Sequence, residues 1–105
     1  MADLLFIISK GVEKPSPAIR HFQFAKIAKD EGHNVKLFLI NAAVNWALVS
    51  LDHIDYLIEH KVPIYVSEAC ADYRNISSDD IIPGVRIGDA SLLVELLATH
   101  KTATF

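Results

Sequence analysis

Five short apolar segments divide the chain and alternate with longer stretches of mixed polarity. They span residues 4–8, 35–40, 63–66, 85–87 and 102–105. The first three are nearly continuous apolar runs, a pattern typical of strands that are buried on both faces, as in a parallel sheet. We therefore predict a mainly parallel sheet of about five strands.

Helical periodicity fills the intervals between the predicted strands. After residue 15, apolar residues recur at helical spacing, with Ser16 as the expected N-cap, Pro17 in the first turn and Gly32 as the C-terminal stop. Further helices are predicted over residues 52–60 and 69–74, the second ending at Asn75, a residue that tolerates a left-handed backbone.

A last helix is predicted to start near Asp89. Its expected buried face consists of Leu92, Leu93, Leu96 and Leu97. Strands that alternate with helices imply right-handed crossovers. The expected fold class is therefore α/β, with helices on both faces of the sheet in a three-layer α/β/α sandwich.

Length and composition indicate one globular domain over residues 1–105. Apolar residues make up 51% of the chain and its formal net charge is only −3, whereas disordered chains are less apolar and more highly charged. The mean hydropathy of +0.28 is high for so small a domain. We therefore expect part of the apolar surface to lie against another subunit.

Charge and segment lengths exclude several classes of protein. The sequence pI of about 5.9 argues against nucleic-acid binding, which needs clustered Lys and Arg. No apolar run is long enough for a membrane span, and Asp3 stands where a signal peptide would be basic. One cysteine allows no internal disulfide. A cytoplasmic protein without nucleic-acid or membrane partners is expected.

Several motifs for cofactor and metal chemistry are absent from the sequence. It contains no G-x-G-x-x-G after the first strand, no G-x-x-x-x-G-K-[ST] and no C-x-x-C. The five histidines show no metal-ligand spacing, and Asp79 and Asp80 are more typical of a capped turn than of an acid/base pair. We expect no metal and no organic cofactor.

Cys70 is the main candidate for chemistry because of its position. It follows the third predicted strand, in the first turn of a short helix whose amino terminus favours thiolate over thiol. Arg74 lies one turn later and could bind an anion. Ser9, Lys10 and Asn41 follow the first two strands, at the same edge of the predicted sheet. They complete the candidate substrate-binding set with Arg74.

Two other interpretations of Cys70 remain open at this point. A free cysteine is often a small buried hydrophobe, so the chain could be a non-catalytic oligomeric module that binds a ligand or a protein. A cysteine-dependent hydrolase would need a histidine within hydrogen-bond reach, and the sequence places none there.

The segment VPIYVSEACADYRNI, residues 62–76, resembles the DsrE/DsrF-like family. Members of that family carry a cysteine just after the third strand, followed by an Arg-Gly-Ile-like stretch. Cys70 and Arg74 match the cysteine and the arginine, while Asn75 stands where many members have glycine. The resemblance extends over the whole chain, although residues 41–45 are less rich in glycine and acidic residues than in many members.

The resemblance implies a flavodoxin-like fold and a function in sulfur transfer. By this resemblance the protein is a small cytoplasmic sulfur carrier or sulfurtransferase, with Cys70 as the nucleophile that carries sulfane sulfur as a persulfide. Arg74 and the helix amino terminus would stabilise its anion. Implied partners are other sulfur-relay proteins or small thiols. A homo-oligomer is also implied, a trimer or hexamer ahead of a dimer.

Overall fold

The computed structural model describes residues 1–49 and 51–105. The strands are β1 Asp3–Ile8, β2 Asn34–Leu39, β3 Ile64–Ser67, β4 Val85–Gly88 and β5 Lys101–Thr104. The α-helices are α1 Pro15–Asp30, α2 Asp52–Glu59, α3 Glu68–Tyr73 and α4 Ala90–Thr99. Two 3₁₀ helices, Asn41–Leu48 and Ser78–Asp80, complete the secondary structure of the described residues.

The strands form one sheet in the order β4-β3-β2-β1-β5, and all of its strand pairs are parallel. The predicted parallel sheet is therefore confirmed, including the short segment at residues 85–87. Parallel neighbours cannot be joined by a tight hairpin, so each connection crosses a face of the sheet. The crossovers determine where the helices lie.

Two apolar clusters cover the two faces of the sheet. Alternate strand residues such as Phe6 and Ile8 belong to the larger cluster, with the buried faces of α1 and α2, whereas Leu5 and Ile7 pack with Leu96 of α4. Right-handed crossovers explain this division, because the steps from β1 to β4 move across the sheet in one direction and α4 returns in the other. The result is a three-layer α/β/α sandwich with a flavodoxin-like fold.

Local signals in the sequence are found at their expected places. Gly32 and Asn75 end helices with φ of 92° and 58°, respectively, in the left-handed region. Asp80 forms a capping box with Ser77, and Asp89 accepts a hydrogen bond from the Leu92 N–H as the N-cap of α4. None of the described helices is both long enough and apolar enough to cross a membrane.

The predicted N-cap of α1 is wrong. Lys14 occupies that position instead of Ser16, and its side chain makes no capping hydrogen bond. Pro15 and Pro17 lack an N–H, so the first turn has fewer unsatisfied donors to cap. The Lys14 N–H bonds the Gly11 carbonyl in the preceding turn, and this turn sets the start of the helix.

The buried face predicted for α4 is too wide. Leu96 is buried and Leu92 and Leu93 are half-buried, but Leu97 is 45% exposed and the neighbouring Val94 is 64% exposed. Among the described helices, α4 alone packs in the smaller cluster. A helix that contacts only a sheet buries a narrow strip, so the flanks of α4 stay in solvent.

His21 and Phe105 connect α1 to the end of β5. Their rings stack with centroids 4.3 Å apart, and the Phe105 carbonyl accepts hydrogen bonds from the N–H and the hydroxyl of Ser9. The His21 Nδ1 is buried with no hydrogen-bond partner among the described residues. Burial lowers the pKa of His21 below its usual 6.5, with further lowering by the cations of Lys10 and Arg20.

This lowered pKa predicts a pH-dependent part of the free energy of unfolding. The unfolded chain binds a proton at His21 at a higher pH than the folded chain, so stability is lost as the pH falls below about 6.5 and is constant above it. We expect His21→Phe, which keeps the ring stack, to flatten the pH dependence of urea unfolding in this range. His53→Gln removes a histidine outside the stack and serves as the control. An unchanged slope in His21→Phe would contradict the prediction.

Candidate functional site

Cys70 lies at the carboxyl edge of the sheet, next to the point where successive connections switch from one face of the sheet to the other. The chain leaves β3 toward the α1 face and leaves β4 toward the α4 face. Such a switch point opens a crevice beyond the strand ends, the usual ligand position in open α/β sheets. Ala69 borders both this crevice and the cavity that contains Cys70. The cysteine therefore stands beside the position that the fold favours for chemistry.

Short-range hydrogen bonds hold Cys70 in the first turn of α3. Ser67 is the N-cap, and its Oγ accepts a hydrogen bond from the Cys70 N–H at 3.3 Å. The helix has only six residues and ends at Arg74, whose N–H bonds the carbonyls of Ala71 and Cys70. Asn75 then turns the chain with its left-handed backbone. The predicted first-turn position of Cys70 is confirmed.

The sulfur of Cys70 is paired with Asn41, the second residue after β2 and the first of the 3₁₀ helix that follows it. The Asn41 N–H donates to Sγ at 3.3 Å, and Sγ lies 3.9 Å from the side-chain carbonyl oxygen Oδ1. A thiolate can accept from the N–H, and a thiol can donate to Oδ1. Asn41 thus has a partner atom for either protonation state of this half-buried cysteine.

The backbone at Asn41 is positioned by a close contact with the loop after β1. A Cβ atom on Gly11 would lie 2.6 Å from the Ala42 carbonyl oxygen, so the two segments can touch only because residue 11 is glycine. The Trp46 Nε1–H donates to the Lys10 carbonyl at 2.9 Å and joins the same two segments. With Asn41 itself left-handed at φ 51°, these contacts direct its N–H toward the sulfur.

An open cavity of about 230 Å³ surrounds the thiol. It is lined by Asn41, Ala69, Cys70, Tyr73 and Arg74. Tyr73 is 87% exposed, and Arg74 forms no ion pair with any described carboxylate. The arrangement combines a nucleophile, a backbone donor, a cation and an aromatic surface, with room for a small anion beside the sulfur.

The candidate substrate-binding set is only partly brought together. Asn41 and Arg74 line the cavity of Cys70, but Ser9 and Lys10 are not among its lining residues. The Ser9 hydroxyl donates to the Phe105 carbonyl at 2.6 Å, and the Lys10 carbonyl accepts from Trp46. The two residues follow β1, which is separated from β3 by β2 and therefore lies about 10 Å away.

Neither Gly11 nor Trp46 is among the site residues predicted from the sequence. Trp46 packs edge-on against Phe22 and donates a hydrogen bond to the loop after β1. A glycine in the loop after β1, three residues beyond the strand, is the one signal in the sequence for a close approach. Its contact partner lies some thirty residues later, so the sequence could not identify it.

The described part of the chain contains no cluster of side chains suited to metal binding or to catalysis by histidine next to Cys70. It contains no group of three His, Cys, Asp or Glu side chains that could hold a metal ion. No histidine from it lines the cavity of Cys70. The base that a cysteine-dependent hydrolase requires is thus not found among the described lining residues.

Comparison with known proteins gives both a family and a fold. Residues 2–104 match the DsrE/DsrF-like family. Over the full length of both chains, the fold is similar to that of the ychN protein from E. coli, with a TM-score of 0.87 and 23% identity. The protein of unknown function MTH1491 from Methanobacterium thermoautotrophicum also matches over both full chains, with a TM-score of 0.78 and 12% identity.

A third similar structure is the conserved protein of unknown function BT1422 from Bacteroides thetaiotaomicron. It has a TM-score of 0.72 and 16% identity, over 98% of this chain and 95% of the other. No curated protein matches the chain. The TM-scores establish the common fold, whereas identities this low carry no site assignment.

The contact between Gly11 and Ala42 predicts that Gly11→Ala slows alkylation of Cys70. The new methyl group must displace the Ala42 backbone and with it the Asn41 N–H. The loss of one hydrogen bond to a thiolate costs about 1 kcal/mol or more, so we expect iodoacetamide to react about fivefold more slowly at neutral pH.

Gly32→Ala is the matched control for this experiment. Gly32 has a φ of 92°, and no atom lies within 4 Å of the position that an added methyl group would take, so the substitution strains the backbone far from the thiol. It should lower stability by about 1 kcal/mol without changing the alkylation rate. Equal rates in Gly11→Ala and the unmodified protein would show that Asn41 does not assist the sulfur.

Proposed function

The chain belongs to the DsrE/DsrF-like family, and from this premise we propose that it is a small sulfur carrier or sulfurtransferase with Cys70 as the persulfide-bearing residue. The family is generally linked to sulfur relay. The observation that carries the proposal for this chain is the Asn41 N–H at 3.3 Å from the Sγ of a half-buried cysteine, in a cavity open to solvent.

The loading step is a nucleophilic exchange at sulfur. The Cys70 thiolate attacks the sulfane sulfur of a donor persulfide R–S–SH, a new S–S bond forms, and the donor's S–S bond breaks. The products are Cys70–S–SH and the thiolate R–S⁻, with no net oxidation or reduction. The Asn41 N–H favours the attacking thiolate, and the cavity has room for one additional sulfur atom.

The unloading step is the same exchange in reverse. An acceptor thiolate attacks the terminal sulfur, and Cys70 leaves as a thiolate that again accepts the hydrogen bond of the Asn41 N–H. The chain has one cysteine, so no second thiol within it can displace the sulfur as a disulfide. The acceptors we propose are other sulfur-relay proteins or small thiols, and no metal or organic cofactor is needed for either step.

Arg74 is the proposed binding residue for the anionic persulfide. It borders the cavity one turn after Cys70 and has no carboxylate partner among the described residues. A guanidinium keeps its charge at any physiological pH and presents several donors to an anion. Asn41 would hold the inner sulfur and Arg74 the terminal one.

A non-catalytic binding module is the second candidate function. The observation that favours it is the 87% exposure of Tyr73 beside Arg74, since Tyr and Arg are the residue types that dominate binding energy at protein interfaces. Under this alternative, Cys70 only packs against the larger apolar cluster, where it is half-buried. Sulfur loading distinguishes the two functions.

We expect Cys70 of the folded protein to gain one sulfur from a persulfide donor. The measurement is intact mass after incubation with glutathione persulfide, followed by peptide mapping and treatment with a reducing thiol. The added sulfur should map to Cys70, reverse on reduction and be absent in Cys70→Ser. If no donor loads the folded protein, including persulfidated proteins, the binding-module function replaces the proposal.

Arg74→Gln separates the role of the cation from that of the nucleophile. We expect loading to remain possible but about tenfold slower, because the developing anion loses one charge-assisted interaction. Lys101→Gln, which removes a cation on β5, should leave the rate unchanged. Equal loading rates in Arg74→Gln and the unmodified protein would remove Arg74 from the site and leave Cys70 in it.

We also propose that the protein is a cytoplasmic homo-oligomer built from single-domain subunits, with a trimer or hexamer ahead of a dimer. The exposed Val94 and Leu97, which are one turn apart on α4, support this assembly, since neighbouring exposed apolar residues mark interfaces whereas single ones do not. Light scattering at micromolar concentration should give a multiple of 11.6 kDa, reduced in Val94→Lys. Val12→Lys, another exposed apolar position, is the control, and a monomeric unmodified protein would contradict the prediction.

A further inference from the structure

We propose that a second cavity, at the edge of the sheet opposite Cys70, binds a small organic anion with a carboxylate or phosphate group on an apolar, ring-sized body. This cavity lies where β3 and β4 begin and has a volume of about 430 Å³, within the range of small-molecule sites. The length of the four-residue β3, about 13 Å, separates it from the thiol edge. The proposal does not depend on sulfur chemistry at Cys70.

Two cations that form no ion pair with the described residues give this cavity its charge. Lys61 and Arg86 both line it, neither forms an ion pair with a described carboxylate, and no acidic residue is among its lining residues. The chain as a whole has a net charge of −3, so this cationic pair runs against the overall charge. Arg offers a planar fork to a carboxylate or phosphate, and Lys adds a point charge.

The fold holds the two cationic positions on rigid elements. Arg86 is paired in register with Tyr65 on the neighbouring strand, so both side chains leave the same face of the sheet. Lys61 is in the turn between α2 and β3, where its N–H bonds the Ile58 carbonyl and its φ is 63°. Both residues therefore start from ordered backbone, which reduces the entropy lost when a ligand is bound.

The other lining residues have mainly apolar side chains, and the exposed surface of the cavity as a whole is divided about equally between polar and apolar atoms. These residues are Ile58, Val62, Pro63, Ile64, Tyr65 and Gly84. A Cβ on Gly84 would lie 2.5 Å from the Ile58 Cγ2, so the wall is closed on that side by direct contact. Tyr65, which lines the cavity and is half-buried, packs its ring against Phe38 with centroids 6.1 Å apart.

The residues that line the cavity indicate which chemical class of ligand it would bind. Two cations balance the two charges of a phosphate monoester and more than balance the single charge of a carboxylate, while the apolar part of the lining suits a body about the size of an aromatic ring. A nucleic-acid strand would need a longer cationic track than a pair of residues provides. The site therefore fits a small amphipathic anion.

The test is an NMR titration of the ¹⁵N-labelled protein with phenyl phosphate and, separately, with benzoate. We expect saturable shifts of the Lys61, Tyr65 and Arg86 amides with at least one of them, and no saturation with the neutral analogue benzyl alcohol. The tighter ligand identifies the anionic group as phosphate or carboxylate. Inorganic phosphate should bind more weakly than phenyl phosphate, because it makes no contact with the apolar wall.

Matched arginine variants localise the binding. Arg86→Gln, at an exposed position, should weaken binding about tenfold, while Arg74→Gln, beside Cys70, and Cys70→Ser should leave it unchanged. The proposal is overturned if neither ligand saturates by about 10 mM, or if Arg86→Gln and Arg74→Gln bind equally. Equal binding of inorganic phosphate and phenyl phosphate would also overturn it, since the apolar wall would then have no role.

Discussion

The parallel direction of all the strand pairs is the constraint on which the rest of this structure depends. It forces every connection to cross a face of the sheet, which buries both faces beneath helices and produces two separate apolar clusters. It also places every strand's carboxyl end at one edge and every amino end at the other. The two cavities of functional interest lie at these two edges, where connections leave and enter the sheet.

At the carboxyl edge, a direct hydrogen bond outweighs the more general effect of a helix terminus. The sequence places Cys70 at the start of a helix, but α3 has only six residues, and the Cys70 N–H is already bonded to Ser67. A macrodipole effect is worth about 0.3–1 kcal/mol at exposed positions, whereas a hydrogen bond to a charged group is worth about 1.5–3 kcal/mol. The Asn41 N–H is therefore the main group that distinguishes Cys70 from an ordinary half-buried cysteine.

The two cavities differ in chemistry because different parts of the chain supply them. The thiol cavity combines the segment after β2 with α3, and its lining includes the thiol of Cys70. The opposite cavity combines the turn before β3 with the start of β4, and its polar groups are fixed cations. The similar structures share the fold at identities of 12–23%, and a common fold permits different chemistry at either edge. The function of this chain therefore depends on the residues at each edge of the sheet.

Periodicity and local signals in the sequence determined the fold class, the strands and most helix ends. Runs such as residues 4–8 show strands buried on both faces, and Gly32, Asn75 and Asp89 act within a few residues of themselves. The N-cap predicted at Ser16 is wrong, because Pro15 and the turn that begins at Gly11 start the helix two residues earlier. Local patterns also failed at Leu97, which is exposed because α4 packs against the sheet on one side only and its flanks face solvent.

The site shows the same division between local and long-range information. The spacing of Cys70 and Arg74 places them within one turn of each other in and just after α3, and the structure shows that both line one cavity, while their roles there stay a prediction. The order of the strands decided which other residues join them, bringing Asn41 to the sulfur and keeping Ser9 and Lys10 one strand farther away. The contact of Gly11 with Ala42 and the pairing of Arg86 with Tyr65 join residues distant in sequence. Only the tertiary structure could decide these, because strand order and register arise from packing of the whole sheet and from no local pattern.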